Sequence, residues 1–240
     1  MKVAIYNDCF TQNYKHFGCE LVMETFKDQL KRVDCEFVGS VKKDMMRDEK
    51  HVASVLDKAD LVIVNGEGSF HHDRRNDILS VGAKWPSILI NTVFQDNKTK
   101  GQLKNFKFIS CRESFSAAAC ARQFGKPVDT IPDIIFTNKR LAQLKFKPTK
   151  DLVKVRHGSE LNTKNTAEYF MNTLAQHKSV SSISYHALII SMILGQRIKR
   201  VIPSNTHKNA ALVHDFLSDS NYVENSRKKV NSLFDNLHNI

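Results

Sequence analysis

The chain has no window approaching the roughly 18 consecutive apolar residues of a membrane-spanning helix, and no Cys-x-x-Cys pair, short repeat or low-complexity stretch. The first absence excludes a helical membrane span. Its five cysteines, at 9, 19, 35, 111 and 120, are odd in number and scattered, which argues against a disulfide framework or a cysteine-rich zinc site. Reduced thiols are expected. The start, Met1-Lys2-Val3-Ala4-Ile5-Tyr6, is too short and too quickly polar for a signal peptide, so a cytoplasmic setting is expected, in a bacterium or in the host of a phage.

A length of 240 residues with 41% hydrophobic and 25% charged residues suits one large domain or two small ones with a sizeable core. The charge is less ordinary. The formal net charge is +11; residues 1–140 carry 22 Lys/Arg against 18 Asp/Glu, and residues 141–240 carry 14 against 7. A basic second half favours polyanionic or phosphorylated partners, although a generally basic surface that aids solubility reads the same way.

In the first half, apolar strands alternate with amphipathic segments. Val3 to Tyr6 reads as a strand, 18–32 as a helix with Leu21, Val22, Phe26 and Leu30 on one stripe, and Cys35 to Gly39 as a second strand. A helix around 51–58, strands at 61–64, 88–91 and 106–110, a helix at 114–124 and a strand at 128–131 follow. A lysine-rich passage, 139–150, leads to strands at 152–155, 180–184 and 198–202 and helices at 166–177, 185–194 and 207–217. The pattern predicts an α/β protein of two Rossmann-like halves, parallel sheets flanked by helices with a cleft between them. The expected units are an acceptor-side domain at 1–140, a smaller donor-binding domain at 151–225 and a basic helix at 226–240.

The most informative stretch is Leu61-Val62-Ile63-Val64-Asn65-Gly66-Glu67-Gly68-Ser69-Phe70-His71-His72. Four apolar residues suit a strand buried on both faces, and ligands collect beyond the strand ends of open α/β sheets. Gly66 and Gly68 let backbone approach a bound group, with Ser69 beside them. Glu67 is the leading general base, able to take a proton from an acceptor hydroxyl; Asp8 and Asp133, at other strand ends, are its rivals. Arg112 lies between a strand and a helix, where a guanidinium can hold a phosphate or carboxylate bidentately, unless it pairs structurally with Asp133. Glu113 or Ser114 can cap that helix. His186 opens an almost wholly apolar helix and can donate to an anion or move a proton, although such a histidine is often only a hydrogen-bonded core residue. Thr206-His207-Lys208 offers a second anion site of the same type. His71-His72-Asp73 diverge on a turn and lack a third metal ligand, so neither a metal nor a tightly bound cofactor is expected.

Several strings together resemble the polysaccharide pyruvyl transferase family, whose fold is similar to that of two-Rossmann (GT-B) glycosyltransferases. They are Asn13 with Gly18-Cys19-Glu20, Asn65-Gly66-Glu67-Gly68-Ser69, Ile109 to Ser116 with Arg112 at its centre, Ile131-Pro132-Asp133, and Tyr185-His186-Ala187 with Gly195. The resemblance implies an arginine two residues before the histidine, gripping the carboxylate of phosphoenolpyruvate with it. Here that position is Ser184, and a hydroxyl does not replace a guanidinium.

That departure, with the +11 charge, favours a nucleotide-sugar-dependent glycosyltransferase acting on a hydroxyl of a polyanionic acceptor, hydroxymethylated DNA among the candidates. The alternative is a phosphoenolpyruvate-dependent pyruvyl transferase acting on a glycan, and a further alternative is a non-catalytic nucleic-acid-binding module. On the first reading Glu67, His186 and Asp133 are catalytic. Gly66, Gly68, Ser69, Arg112, Ser184, Tyr185, His186, Thr206, His207 and Lys208 bind the donor. Asn13, His71, His72, Lys154, Arg156, Lys199 and Arg200 meet the acceptor.

Overall fold

The structure is a computed structural model that describes residues 1–11, 16–68, 70–156 and 166–240. Its first sheet grows from the alternation of side chains along short apolar strands. In β1 (Lys2–Asp8), Val3 and Ile5 point to one face and Ala4 and Tyr6 to the other, and all four are buried. The first pair joins a cluster with Leu21, Val22, Phe26 and Leu30 of α1 (Phe17–Arg32); the second joins Val52 and Leu56 of α2 (Glu49–Leu56). A sheet so covered on both faces is the usual home of parallel strands. Six strands, β1, β2 (Glu36–Lys42), β3 (Leu61–Glu67), β4 (Ser87–Thr92), β5 (Phe108–Cys111) and β6 (Asp129–Thr130), pair parallel in the order β2-β1-β3-β4-β5-β6.

The chain moves one way from β1 to β2 and the other way from β3 onward. The loops leaving β1 and β3 therefore diverge, and a crevice opens between their C-terminal ends. Polar side chains pin these ends together. The buried Asn7 donates to Asn65 O at 2.6 Å, and Asn91 Nδ2 donates to Asn65 Oδ1 at 3.0 Å.

A second, parallel sheet has three strands, β7 (Lys150–Val155), β8 (His177–Ser182) and β9 (Arg197–Val201). The two sheets share apolar material: Val153, Val155 and Val180 belong to the same cluster as Val3, Ile5 and the α1 stripe. Later helices continue it, namely α6 (Ala167–Ala175), α7 (Tyr185–Ile193) and the final α9 (Tyr222–Asp235). Helix α9 returns to α1, with Phe234 packed on Phe26 at 6.3 Å, Gln29 donating to Asn231 at 3.0 Å and Arg32 bonded to Asp235 at 2.6 Å.

Several boundaries differ from those read off the sequence, for local reasons. Asp48 accepts from His51 N–H and starts α2 at Glu49. Phe106 closes a 3-10 turn, Gln102–Asn105, so β5 begins only at Phe108. The lysine-rich passage contains a short helix, α5 (Lys139–Gln143), because Asn138 accepts from the N–H groups of Arg140 and Leu141. A further short helix, α3 (Ser80–Lys84), has no counterpart in the sequence reading. The last helix begins at Tyr222, ahead of the basic residues expected to start it.

Candidate active site

The crevice at the C-terminal ends of β1 and β3 receives side chains from the first sheet's strand ends and from the helices that follow β8 and β9. A cavity of about 180 Å³ is lined by Cys9, His16, Cys19, Lys43, Glu67, Gly68, Ser184, Tyr185, His186 and Lys208. Glu67, the last residue of β3, has φ +41° and is 3% exposed. A non-glycine residue in the left-handed region carries strain of about 1 kcal/mol or more that the surrounding structure must hold. That conformation turns the carboxylate into the crevice. The preceding Gly66 is forced, since a Cβ there would lie 2.2 Å from Thr92 Oγ1.

His186 enters from the second sheet's side, on the first turn of α7. Ser184 caps that helix by accepting from Ala187 N–H at 3.4 Å. The imidazole lies against α1, where a Cβ on Gly18 would be 1.9 Å from His186 Nδ1. Only glycine admits the ring there. His186 Nε2 is 3.9 Å from Glu67 Oε1 and 3.6 Å from Asp133 Oδ2. Glu67 Oε1 and His186 Nε2 are both buried without a hydrogen-bond partner among the described residues, and buried polar atoms of that kind call for an explanation.

Behind this pair lies a buried ion pair. Arg112, just beyond β5, donates from Nη1 to Asp133 Oδ2 at 2.9 Å, with 1% and 0% of the two side chains exposed. Its guanidinium stacks 3.8 Å from the centre of the Tyr185 ring. Burial pushes the Asp133 carboxyl up, but His186, Arg112 and the Ile135 N–H together outweigh it and hold Asp133 below the ordinary carboxylate range. Burial pushes the Tyr185 phenol well above its usual value, so it is uncharged. The expectation that Arg112 grips an external anion bidentately is corrected by this geometry, because one arm is committed to Asp133. Asp133 is wholly enclosed, bonded to Arg112 and to the Ile135 N–H, and 3.6 Å from His186 Nε2.

Lys208, the first residue of α8 (Lys208–Ser218), completes the cavity from a third direction. Its Nζ lies 3.2 Å, and Arg112 Nη2 3.6 Å, from the point a Cβ on Gly68 would occupy. Burial first, and then the Arg112 charge, push its ammonium down to about 8. The Cys19 thiol is held well above its ordinary value by its hydrogen bond with Cys9, by burial and by the Glu67 carboxylate, so it stays protonated and is a poor nucleophile.

The sequence model of polysaccharide pyruvyl transferases matches residues 16–197, three quarters of the chain. The chain belongs to the polysaccharide pyruvyl transferase family. A pyruvyl transferase is a transferase, working between an activated donor and a polysaccharide acceptor. Membership overturns the reading as a nucleotide-sugar-dependent glycosyltransferase and lends no support to a DNA acceptor; a single serine at 184 does not outweigh the family strings around it. No curated protein matches. Among solved structures, a functionally uncharacterised protein from Klebsiella pneumoniae subsp. pneumoniae matches with TM-score 0.66 at 18% identity, over 91% of this chain and 90% of that one. At that identity the likeness concerns the fold.

The remaining candidate residues divide by place. Asn13 and Ser69 lie outside the described residues. Thr206 and His207 do not line the cavity. His207 Nε2 sits 3.4 Å from Glu113 Oε1 and its backbone N–H donates to Gln95 at 2.9 Å, so this segment ties the two halves together. Glu113 itself caps α4 (Ser114–Phe124) by accepting from Ser116 N–H at 2.9 Å. His71 and His72 share a 2.8 Å contact between their Nδ1 atoms, and His72 reaches Asp96 at 3.3 Å. Lys154 and Arg156 are exposed on and just beyond β7, while Lys199 and Arg200 line a different groove beside Val213, Phe216 and Leu217. These four cations do not join Glu67 and His186. Cavity residues not singled out in the sequence were Cys9, His16 and Lys43, while Cys19 stood there only within a family string; Cys9 follows a strand end and was open to the same rule that found Glu67.

Proposed function

We propose that the protein transfers the pyruvyl group of phosphoenolpyruvate onto hydroxyls of a glycan, forming a ketal and releasing phosphate. One observation carries the reading within the family. Glu67 Oε1 and His186 Nε2, a carboxylate oxygen and an imidazole nitrogen, are both buried without a hydrogen bond among the described residues and lie 3.9 Å apart at one small cavity. They are a base and a proton carrier side by side on the wall of a cavity that suits a three-carbon phosphorylated acid.

In the balanced reaction a first hydroxyl adds to C2 of the enol phosphate while C3 gains a proton and becomes a methyl group. A second hydroxyl then displaces phosphate from C2. Of the two hydroxyl protons, one ends on C3 and the other on the departing phosphate. Glu67 takes the proton from the attacking hydroxyl, and His186 carries a proton to the donor. Asp133, fixed by Arg112, holds the imidazole on the donor side. The first turns of α1 and α8, neither closed by a capping side chain, direct their positive ends at the cavity and favour an anion there.

The test is release of inorganic phosphate from phosphoenolpyruvate in the presence of a glycan carrying paired hydroxyls. Glu67→Gln and His186→Ala are each expected to lower turnover by about 10²–10⁴-fold with thermal melting preserved. Full turnover in either variant, or no consumption of phosphoenolpyruvate by the wild type over a panel of glycans, overturns the reading.

A further inference from the structure

The second half carries 14 Lys/Arg against 7 Asp/Glu over residues 141–240, and three of those cations gather away from the cavity at Glu67 and His186. Arg197, Lys199 and Arg200 stand on β9 along a groove of about 430 Å³. No acidic side chain lines this groove, and no ion pair holds any of the three among the described residues. Strand β9 is also an edge: among the described residues it pairs with β8 and has no neighbour on its other side. Such an edge leaves a row of backbone N–H and C=O groups free. Side chains alternate along a strand, so Ile198 faces away from Arg197 and Lys199. Across the groove, α8 presents Val213, Phe216 and Leu217. Leu217 is 77% exposed, the most exposed large apolar side chain among the described residues. Apolar surface of this kind beside a free strand edge marks a place of contact.

We infer that this groove docks a partner protein through an acidic, extended peptide segment. The segment lies along the outer edge of β9 and bonds its free backbone groups, in the manner of strand addition. Its carboxylates meet Arg197, Lys199 and Arg200, and the apolar side chains that alternate with them pack on Val213, Phe216 and Leu217. Charge complementarity selects this occupant. A second copy of the chain would set the same three cations against each other, and like charges across paired strands are destabilising. A glycan finds little to hold its hydroxyls, since Gln196 is the one uncharged polar side chain of the wall and its amide N–H groups are given to Leu174 O and His177 O. Nucleic acid would use the cations but has no use for Leu217.

The inference does not depend on the pyruvyl-transfer reading. Fluorescence anisotropy of the full chain with a labelled octapeptide of alternating glutamate and valine tests it, beside two control peptides, one with glutamine for glutamate and one with serine for valine. The glutamate–valine peptide should bind about tenfold more tightly than either control, and less tightly as salt is raised. Replacing Arg197, Lys199 and Arg200 together by glutamate should lower its affinity by about tenfold or more, and Leu217→Asp by about fivefold or more. All four side chains lie at the surface, so the melting temperature and the release of phosphate from phosphoenolpyruvate should be those of the wild type in both variants. No binding by the wild type, equal binding of either control peptide, or affinity unmoved by Leu217→Asp overturns the inference. Tighter binding of a single-stranded DNA oligonucleotide, lost with the three cations and kept in Leu217→Asp, overturns it in favour of nucleic acid.

Discussion

At the scale of single residues, the site is made of groups that are poor choices for stability. Lys208 is the clearest. Its ammonium is pushed from 10.5 down to about 8, so between those values the unfolded chain holds a proton that the folded chain has released. Below pH 8 the whole penalty is present; it is relieved as pH rises from 8 toward 10.5. Lys208→Gln is therefore expected to raise the melting temperature by a few degrees at pH 7 and to gain progressively less advantage through pH 8–10. Differential scanning calorimetry across that range measures both, and an unstabilised variant at pH 7 contradicts the buried-charge account. Much at this scale was legible in the sequence. Glu67 and His186 stand where a strand ends and a helix begins, and such positions are set by local pattern. The fate of Arg112 was not legible, because its choice of Asp133 over a ligand depends on two strand ends separated by 21 residues meeting in space. Nor was the division within Thr206-His207-Lys208, where only the turn geometry decides that the lysine faces the cavity while the histidine faces Glu113.

At the scale of elements, two helix starts decide whether the imidazole is usable. The sequence announces α7 by its apolar run and assigns Ser184 to the donor; in the structure Ser184 lines the cavity and also caps the helix. Ser184→Ala should then cost about 1 kcal/mol of stability and leave phosphate affinity unchanged, as read by denaturant unfolding beside titration calorimetry. The start of α1 behaves oppositely. Gly18→Ala ought to favour a helix by about 1 kcal/mol, but its methyl group would meet His186 Nδ1 at 1.9 Å. The ring or the helix must shift, so turnover should fall steeply in a protein that remains folded by circular dichroism. The glycine was visible in the sequence as part of a family string. Its reason was not, since the ring that needs the space is 168 positions away.

For the whole molecule, periodicity sufficed to read the six-stranded parallel sheet, because each of its central strands is an apolar run bounded by polar turns. The manner in which the two sheets are joined was hidden. Helix α1 is an ordinary amphipathic stripe on paper, and it turns out to serve both halves, touching α6 through Phe17 and Phe170 and α9 through Phe26 and Phe234. One apolar cluster thus runs through residues from Val3 to Leu237. Thermal unfolding should be a single cooperative transition, and Phe26→Ala, costing about 3–5 kcal/mol, should shift that transition as one unit. Two resolved transitions, only one of them moved by the substitution, would contradict a common core.

The smallness of the pocket has a consequence for what can be modified. Room for about 180 Å³ accommodates one small acid and the rim of one sugar, so the rest of any glycan must lie outside it. On the pyruvyl-transfer reading, the sugar that receives the group is recognised by the few hydroxyls it can dip into the cavity. Decoration would then follow the identity of single sugars more than the length of the chain that carries them.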